Sequence, residues 1–494
     1  MAADIGCIVG ALGAVLVLVP RGRAAPLVGF ALLTAAVGLL ASALVPGEDI
    51  RTLIDTPTRI VGVAVAALVL VVAGVVLSDR PGVVTVALLA VTPFRVPVHV
   101  GEQEAFLLIP LYAVLVVAVV GLVVRFARGR DFPELPRWMM VPAAAFIALC
   151  AISLLWSDDR RAGMIQLLFF LLPFSALVAF VARAPLERWS VAAFGVVVVA
   201  LACGFAGVGL SQLWTGELYF ARDLEVANAY TSYFRKTSLF ADSSVYGREL
   251  ALGIVVLVVA LWLARVSLVL AIGLIGLLWT ALYFTYSQSS MVSLIVAVLG
   301  VSLMAADRVT RRVLVAGTLV AVVAAAVLVV VEVRDQPLER ATSGRFELVE
   351  NTWPVFVDHP VVGVGIGAQP FASGQQEGAH RQAERNTSHT TPLTVAAELG
   401  LLGILAYVVL LASAARGLML VTRRDWALGL GLTGAFLLLF THSLFYSGFF
   451  ENPLTWGILA AAAAATATQP MSLTSRAPVG GGFESPPGRA TPAA

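Results

Sequence analysis

The chain has 494 residues, 59% hydrophobic and 13% charged, with a formal net charge of +2. Soluble domains carry about 25% charged residues, so this composition excludes an ordinary cytosolic enzyme, and so small a net charge gives no footprint for nucleic acid. Apolar runs long enough to cross a hydrocarbon core of about 30 Å recur from end to end, which makes the chain a polytopic membrane protein.

In chain order, Met1 to Asp4 hold an acid and no base, while Arg21 and Arg23 follow the first apolar run. That reverses the charge order of a cleavable signal, so the run reads as a first spanning helix with its N-terminus outside. The expected fold class is all-α, with about 12–15 transmembrane helices. Span centres fall near residues 12, 36, 68, 89, 115, 147, 173, 200, 257, 276, 298, 322, 405, 436 and 460. The fourth is interrupted by Pro93, Arg95 and Pro97. Helices are expected because a spanning barrel would show alternating strands of about ten residues.

Basic residues cluster at Arg21/Arg23, Arg125/Arg128/Arg130/Arg137, Arg183/Arg188, Arg308/Arg311/Arg312 and Arg416/Arg423/Arg424. Alternating spans put all five clusters on one side, which the positive-inside rule makes cytoplasmic. The expected location is the cytoplasmic (inner) membrane of a bacterium, multi-pass, with the C-terminus cytoplasmic and membrane lipids as surroundings. Residues 1–468 read as one multi-span membrane domain. Residues 469–494, rich in Pro, Gly, Ser, Thr and Ala, read as a disordered cytoplasmic tail. There is no internal repeat. Cys7, Cys150 and Cys203 lie in apolar runs without metal-ligand spacing and read as small apolar residues. No cofactor is expected.

Two external loops, 211–249 and 334–391, are too long for connectors and contain aromatic and apolar residues, so they read as ordered and functional. The first carries Trp214, Tyr219, Phe220, Tyr230, Tyr233, Phe234, Phe240 and Tyr246 beside Arg222, Arg235, Lys236 and Arg248. Aromatic faces beside cations suit sugars, headgroups and phosphates; the bland alternative is an interfacial belt with snorkelling bases.

The second loop reads Gly344-Arg345-Phe346-Glu347, then Trp353, then Asp358-His359-Pro360-Val361-Val362-Gly363-Val364-Gly365-Ile366-Gly367. Asn386-Thr387-Ser388-His389-Thr390-Thr391 follow, and a span then opens with Ala397-Glu398-Leu399-Gly400-Leu401-Leu402-Gly403. No βαβ unit precedes the glycines, so they are not a dinucleotide fingerprint. The order of arginine, tryptophan, HPxxGxGxG, histidine and ExGLLG resembles the O-antigen ligase and polymerase family. Leu155-Trp156-Ser157-Asp158-Asp159 and Phe240-Ala241-Asp242-Ser243-Ser244-Val245-Tyr246-Gly247 extend the resemblance over residues 140–420. The chain departs from the family pattern in two places. Thr390 follows His389 where asparagine is common, and Gln288 stands in Ser287-Gln288-Ser289-Ser290 where arginine is expected. Arg248 is a candidate replacement for that cation.

The resemblance implies a GT-C-like fold and transfer of a glycan from a polyprenyl-diphosphate carrier to an acceptor hydroxyl outside the cytoplasmic membrane. The partners would be that lipid-linked donor and a glycan or lipid acceptor. A diphosphate leaving group needs its developing charge neutralised, which arginine does with a permanent charge and a bidentate fork. Arg345 is the first candidate, Arg248 the second, and Arg340, Arg381 and Arg385 are reserves; Gln288 and Trp353 complete the expected donor-binding set. The acceptor needs a base or an orienting group, and His389 suits near-neutral pH. A lone histidine is more often structural, and His359 reads as a turn residue before Pro360. His99, His380 and His442 have no pattern behind them. The expected transfer is metal-independent and inverting; Asp158-Asp159 is the alternative place for a metal. A repeat-unit polymerase shares the chemistry. A lipid-linked glycan transporter or flippase should instead hold charges within its spans and show paired broken helices.

Overall fold

A hydrocarbon solvent leaves a backbone to satisfy its own polar groups, and an α-helix does so within one segment. The computed structural model describes the chain except for residues 23, 46–55, 101–102, 131–132, 221–223, 225–227, 229–233, 334–344, 377–387 and 468–494. In order come α1 (Ala2–Leu18), α2 (Ala25–Leu44), α3 (Pro57–Leu77), α4 (Pro81–Ala90), the hairpin β1 (Val96–Val100) and β2 (Gln103–Leu107), and α5 (Ile109–Ala127). Next are α6 (Arg137–Ser153), α7 (Arg160–Gln166), a π turn (Leu167–Leu171), α8 (Leu172–Val181), α9 (Arg188–Thr215), α10 (Ser243–Trp262) and α11 (Leu268–Tyr283). The chain continues with α12 (Gln288–Ala305), α13 (Arg308–Val333), α14 (Arg345–Asp358), α15 (Gln369–Gly374), α16 (Thr391–Arg424), α17 (Trp426–Ser443) and α18 (Pro453–Ala467).

The protein is an all-α polytopic membrane protein, and every expected span centre falls inside a helix. Among the described residues ten helices are long and apolar enough to cross a membrane, while α1, α4, α11 and α18 are shorter apolar helices. The interrupted fourth span is the ten-residue α4, stopped ahead of Pro93 and followed by an antiparallel hairpin registered from Val96↔Leu107 to Val100↔Gln103. That hairpin is not among the elements expected from the sequence. The first long loop narrows to 216–242, because α9 runs to Thr215 and α10 starts at Ser243. The second contains α14 and α15.

Packing follows small residues. A Cβ on Gly13 would meet Leu33 N at 2.9 Å, and one on Gly29 would meet Val17 N at 2.9 Å, so α1 and α2 touch backbone to backbone. Four of the five basic groups gather at one end of the bundle. Arg128 and Arg130 pair with Asp79 at 3.3 and 2.9 Å, and buried Arg183 donates to the Val17 carbonyl at 2.9 Å. Arg416 lies 4.8 Å over the Trp138 ring, and Arg424 donates to the Thr466 carbonyl at 2.6 Å. The starts of α10, α12 and α16 and the 444–452 segment lie at the other end, where the site forms. The tail 469–494, like Arg340, Arg381 and Arg385, lies outside the described residues.

Candidate active site

The glycine-rich segment after α14 packs into a break in α16. Gly400 has φ 61° and ψ −156°, which interrupts the helix and frees backbone groups on both sides of it. The loop takes them up: Val364 N donates to Ala397 O at 3.0 Å and Gly365 N to Glu398 O at 2.8 Å. In return Leu401 N donates to Pro360 O at 2.8 Å and Leu402 N to Val361 O at 3.3 Å. On its other side the loop meets the turn between α6 and α7. Asp158 N donates to Val364 O at 3.1 Å, Ser157 Oγ to Ile366 O at 2.9 Å, and Ile366 N to Ser153 Oγ at 3.1 Å.

Glycine is required there by space as well as by angle. Gly365 has φ 91°, and a Cβ on it would lie 2.3 Å from Ser157 Cα. Three motifs that carry the resemblance, around residues 155–159, 359–367 and 397–403, are thus one hydrogen-bonded unit. Asp159 caps α7 through Ala162 N at 3.0 Å, a structural use of half of the adjacent acid pair.

This unit fixes His389. Glu398 is buried, and its carboxylate faces the backbone N–H groups of Gly367 and Gln369. The Gln369 side chain donates to Thr352 Oγ1 at 3.0 Å and accepts from Ser388 N at 3.0 Å. Ser388 Oγ donates to Thr390 O at 3.0 Å and lies 2.8 Å from Thr394 Oγ1. Between these anchors His389 sits at φ 55°, a left-handed conformation that few L residues adopt. The turn therefore presents the imidazole in one direction, with its ring centroid 5.9 Å from that of Tyr446.

Tyr446 neighbours two histidines, for the His442 ring lies 5.4 Å from it as well. His442 is buried, with Nε2 3.4 Å from Ser289 Oγ. The Ser287-Gln288-Ser289-Ser290 segment is the start of α12: Ser287 caps it, and Ser290 Oγ donates to Ser244 O at 3.1 Å. A Cβ on Gly247 would lie 2.8 Å from Ser290 Oγ, so α10 and α12 cross where Arg248 and Gln288 sit. Arg248 is buried and bonds Glu249 Oε1 through Nη2 at 3.1 Å, and it lines one small cavity with His442, Tyr446 and Asn452.

Arg95 reaches the same place from the chain after α4, within electrostatic range of Arg248, Glu451 and Tyr446. Two guanidinium groups in a partly dry site repel each other, and Glu249 and Glu451 offset only part of that charge. Burial pushes the Glu451 carboxyl above the usual carboxylate range, with Arg95 pulling the other way. A bound dianion would relieve the repulsion between the arginines.

The structure brings together His389, Arg248 and the start of α12 with its exposed Gln288. Arg345 opens α14, a helix tied to the His389 turn through Thr352 and Gln369; its side chain lies outside the described residues. Trp353, 55% exposed, pairs with Phe356 at 5.6 Å and stands apart from the cluster. His359 is exposed and its carbonyl accepts from Gly363 N at 3.1 Å, the turn role expected of it. Sequence reasoning missed Arg95, His442, Tyr446 and Glu451. For Arg95 a signal existed: a cation between two prolines inside an apolar run. The charges at Arg248, Glu249 and Glu398 lie inside helices, although the sequence reading put charge at span ends and in loops; all three sit within about two turns of a helix start.

Residues 269–408 match the sequence profile of a family described as O-antigen ligase. The segment runs from α11 through the glycine loop and His389 into α16; Arg95, Arg248, His442 and Tyr446 lie outside it. No curated protein matches the chain at a significant level.

Proposed function

We propose, for a chain that belongs to the O-antigen ligase family through this segment, that it transfers a glycan from a polyprenyl-diphosphate carrier to an acceptor hydroxyl. The reaction takes place at the end of the bundle opposite the arginine clusters, which the positive-inside rule makes the external face of the cytoplasmic membrane. The carrying observation is the turn that holds His389 at φ 55° beside Tyr446, which lines a small cavity together with Arg248.

The His389 imidazole takes the proton of the acceptor hydroxyl as its oxygen attacks the anomeric carbon. The bond from that carbon to the phosphate oxygen breaks, and the polyprenyl diphosphate leaves with the electron pair. Arg248 and Arg95, with Arg345 from the start of α14, neutralise the charge that develops on it. One displacement inverts the anomeric centre, and no metal is needed because the guanidinium groups supply the positive charge. A ligase and a repeat-unit polymerase share these steps and differ in the acceptor. The break in α16 favours an enzyme over a transporter, since the loop backbone takes up the groups freed around Gly400 instead of leaving them for an ion.

The test uses the full chain in proteoliposomes with its lipid-linked glycan donor. Transfer is expected, and excess chelator is expected to leave its rate unchanged. Loss of transfer on chelation with recovery on adding a divalent ion would overturn the arginine mechanism and direct attention to Asp158.

A further inference from the structure

A second hollow, largely apolar with a few polar groups, adjoins the histidine site, with a volume of about 60 Å³. Its walls come from α6, the π turn, the start of α16 and the 447–451 segment. Two polar atoms on this lining, Glu398 Oε1 and Thr391 Oγ1, are buried with no hydrogen-bond partner. Their residues are 6% and 4% exposed. The N–H groups of Gly367 and Gln369 face the same carboxylate. A buried polar atom left unpaired is costly, and two of them on one hollow mark a place built for a ligand that can both donate and accept.

The rest of the lining says which ligand. Phe146, Phe170 and Phe449 contribute aromatic rings, Glu451 a second carboxyl, and no arginine or lysine lines the hollow. Such a wall offers phosphate no cation. It suits an uncharged sugar, whose hydroxyls bond carboxylate and threonine while its C–H faces rest on aromatic rings. At about 10–15 Å³ per water, the hollow takes a few waters or the hydroxylated edge of one sugar ring. It adjoins the proposed base on two sides: Thr391 is two residues from His389, and Ser447 in the wall follows Tyr446, the ring that His389 faces.

We propose that this hollow is the acceptor subsite, in which Glu398 Oε1 accepts from one hydroxyl of an uncharged sugar and Thr391 Oγ1 bonds a neighbouring one. The inference rests on the transfer reaction above and adds the side from which the acceptor enters. The sugar edge held there turns its attacking hydroxyl toward His389, while the diphosphate lies on the Arg248 side of Tyr446.

Saturation-transfer NMR on the full chain in detergent tests this without requiring turnover. The probes are a series of uncharged methyl hexosides and, separately, polyprenyl diphosphate. Thr391→Val removes one hydroxyl at constant shape, and Glu398→Gln keeps an oxygen for Gly367 and Gln369 while turning the acceptor at Oε1 into a donor. A methyl hexoside is expected to bind the wild type, with affinity about tenfold weaker in each variant and polyprenyl diphosphate binding unchanged. Absence of hexoside binding in the wild type, or equal affinity in wild type and Thr391→Val, overturns the subsite. If Glu398→Gln fails to fold, Thr391→Val decides alone. Failure of polyprenyl diphosphate to bind the wild type would count against the transfer reaction itself, a result distinct from either hexoside outcome.

Discussion

The glycine loop and the Tyr446 cluster lie on either side of His389 and are built on opposite plans. In the loop the contacts run through its own backbone: residues 360–366 exchange backbone hydrogen bonds with α16, and their N–H and C=O groups also bond Asp158 N and the Ser153 and Ser157 side chains. In the cluster, side chains from distant segments come together: Arg248, Ser289, His442 and Tyr446 meet from three stretches of chain, with Arg95 from a fourth within electrostatic range. A backbone-mediated unit fixes residue identity through space and angle, so it leaves a readable string of letters. A side-chain cluster fixes only where a functional group stands in space. The string at 359–367 is thus a sign of architecture, and the chemistry it supports is supplied largely from elsewhere.

Four substitutions break or sharpen that contrast. Gly365→Ala places a Cβ against Ser157 Cα at a φ of 91°. It is expected to abolish transfer by loss of folded protein, seen as a collapsed monodisperse peak in size-exclusion chromatography; a normally folded variant would show that the loop is not the architectural half. His389→Ala should leave that peak intact and lower transfer by roughly 10²–10⁴-fold, the usual contribution of a positioned base. Near wild-type turnover in initial-rate assays would remove His389 from the reaction.

Arg248→Ala should lower the transfer rate by roughly 10²-fold, with donor affinity weakened as well. Because α10 and α12 cross at Gly247 and Ser290, Gln288→Arg on that background should restore part of the loss. No recovery would show that the cation is tied to α10. The smallest effect is expected from deleting Ser472 to Ala494, a segment with too few large apolar groups to pack a core. Membrane insertion by fractionation and transfer should both match the intact chain, and a transfer defect at equal protein level would give the tail a part in the site.

Helix positions were legible because a span is a local property: enough apolar residues in a row form a helix that lipid solvates. The hairpin at 96–107 was not, because Pro93, Arg95 and Pro97 announce only where a helix stops. His389 stood out through its place in a motif, and Arg248 through its place near a span start. His442 and Tyr446 had no such frame. Nothing in the letters 441–447 states that their rings face Ser289 and His389, since those contacts come from helices far apart in sequence. The adjacent acids at 158–159 invited a metal reading, yet Asp159 is used as a helix cap, a local role that its position before Arg160 permits.

The short α4 also bears on how the protein is made. Ten helical residues rise about 15 Å, half of the roughly 30 Å that must be crossed, and the chain beyond them bends through Thr92 and Phe94 with only short-range backbone bonds. Lipid cannot solvate such a stretch. It packs instead against α5 and α9, where Gly82 leaves room for the Trp189 ring, 2.9 Å from where a Cβ would stand. Synthesis delivers α4 well before α9 exists. The segment therefore depends on protein neighbours for its burial, and one of them, α9, begins almost a hundred residues later in the chain. For this chain, a span early in the sequence owes its place to one that is translated much later.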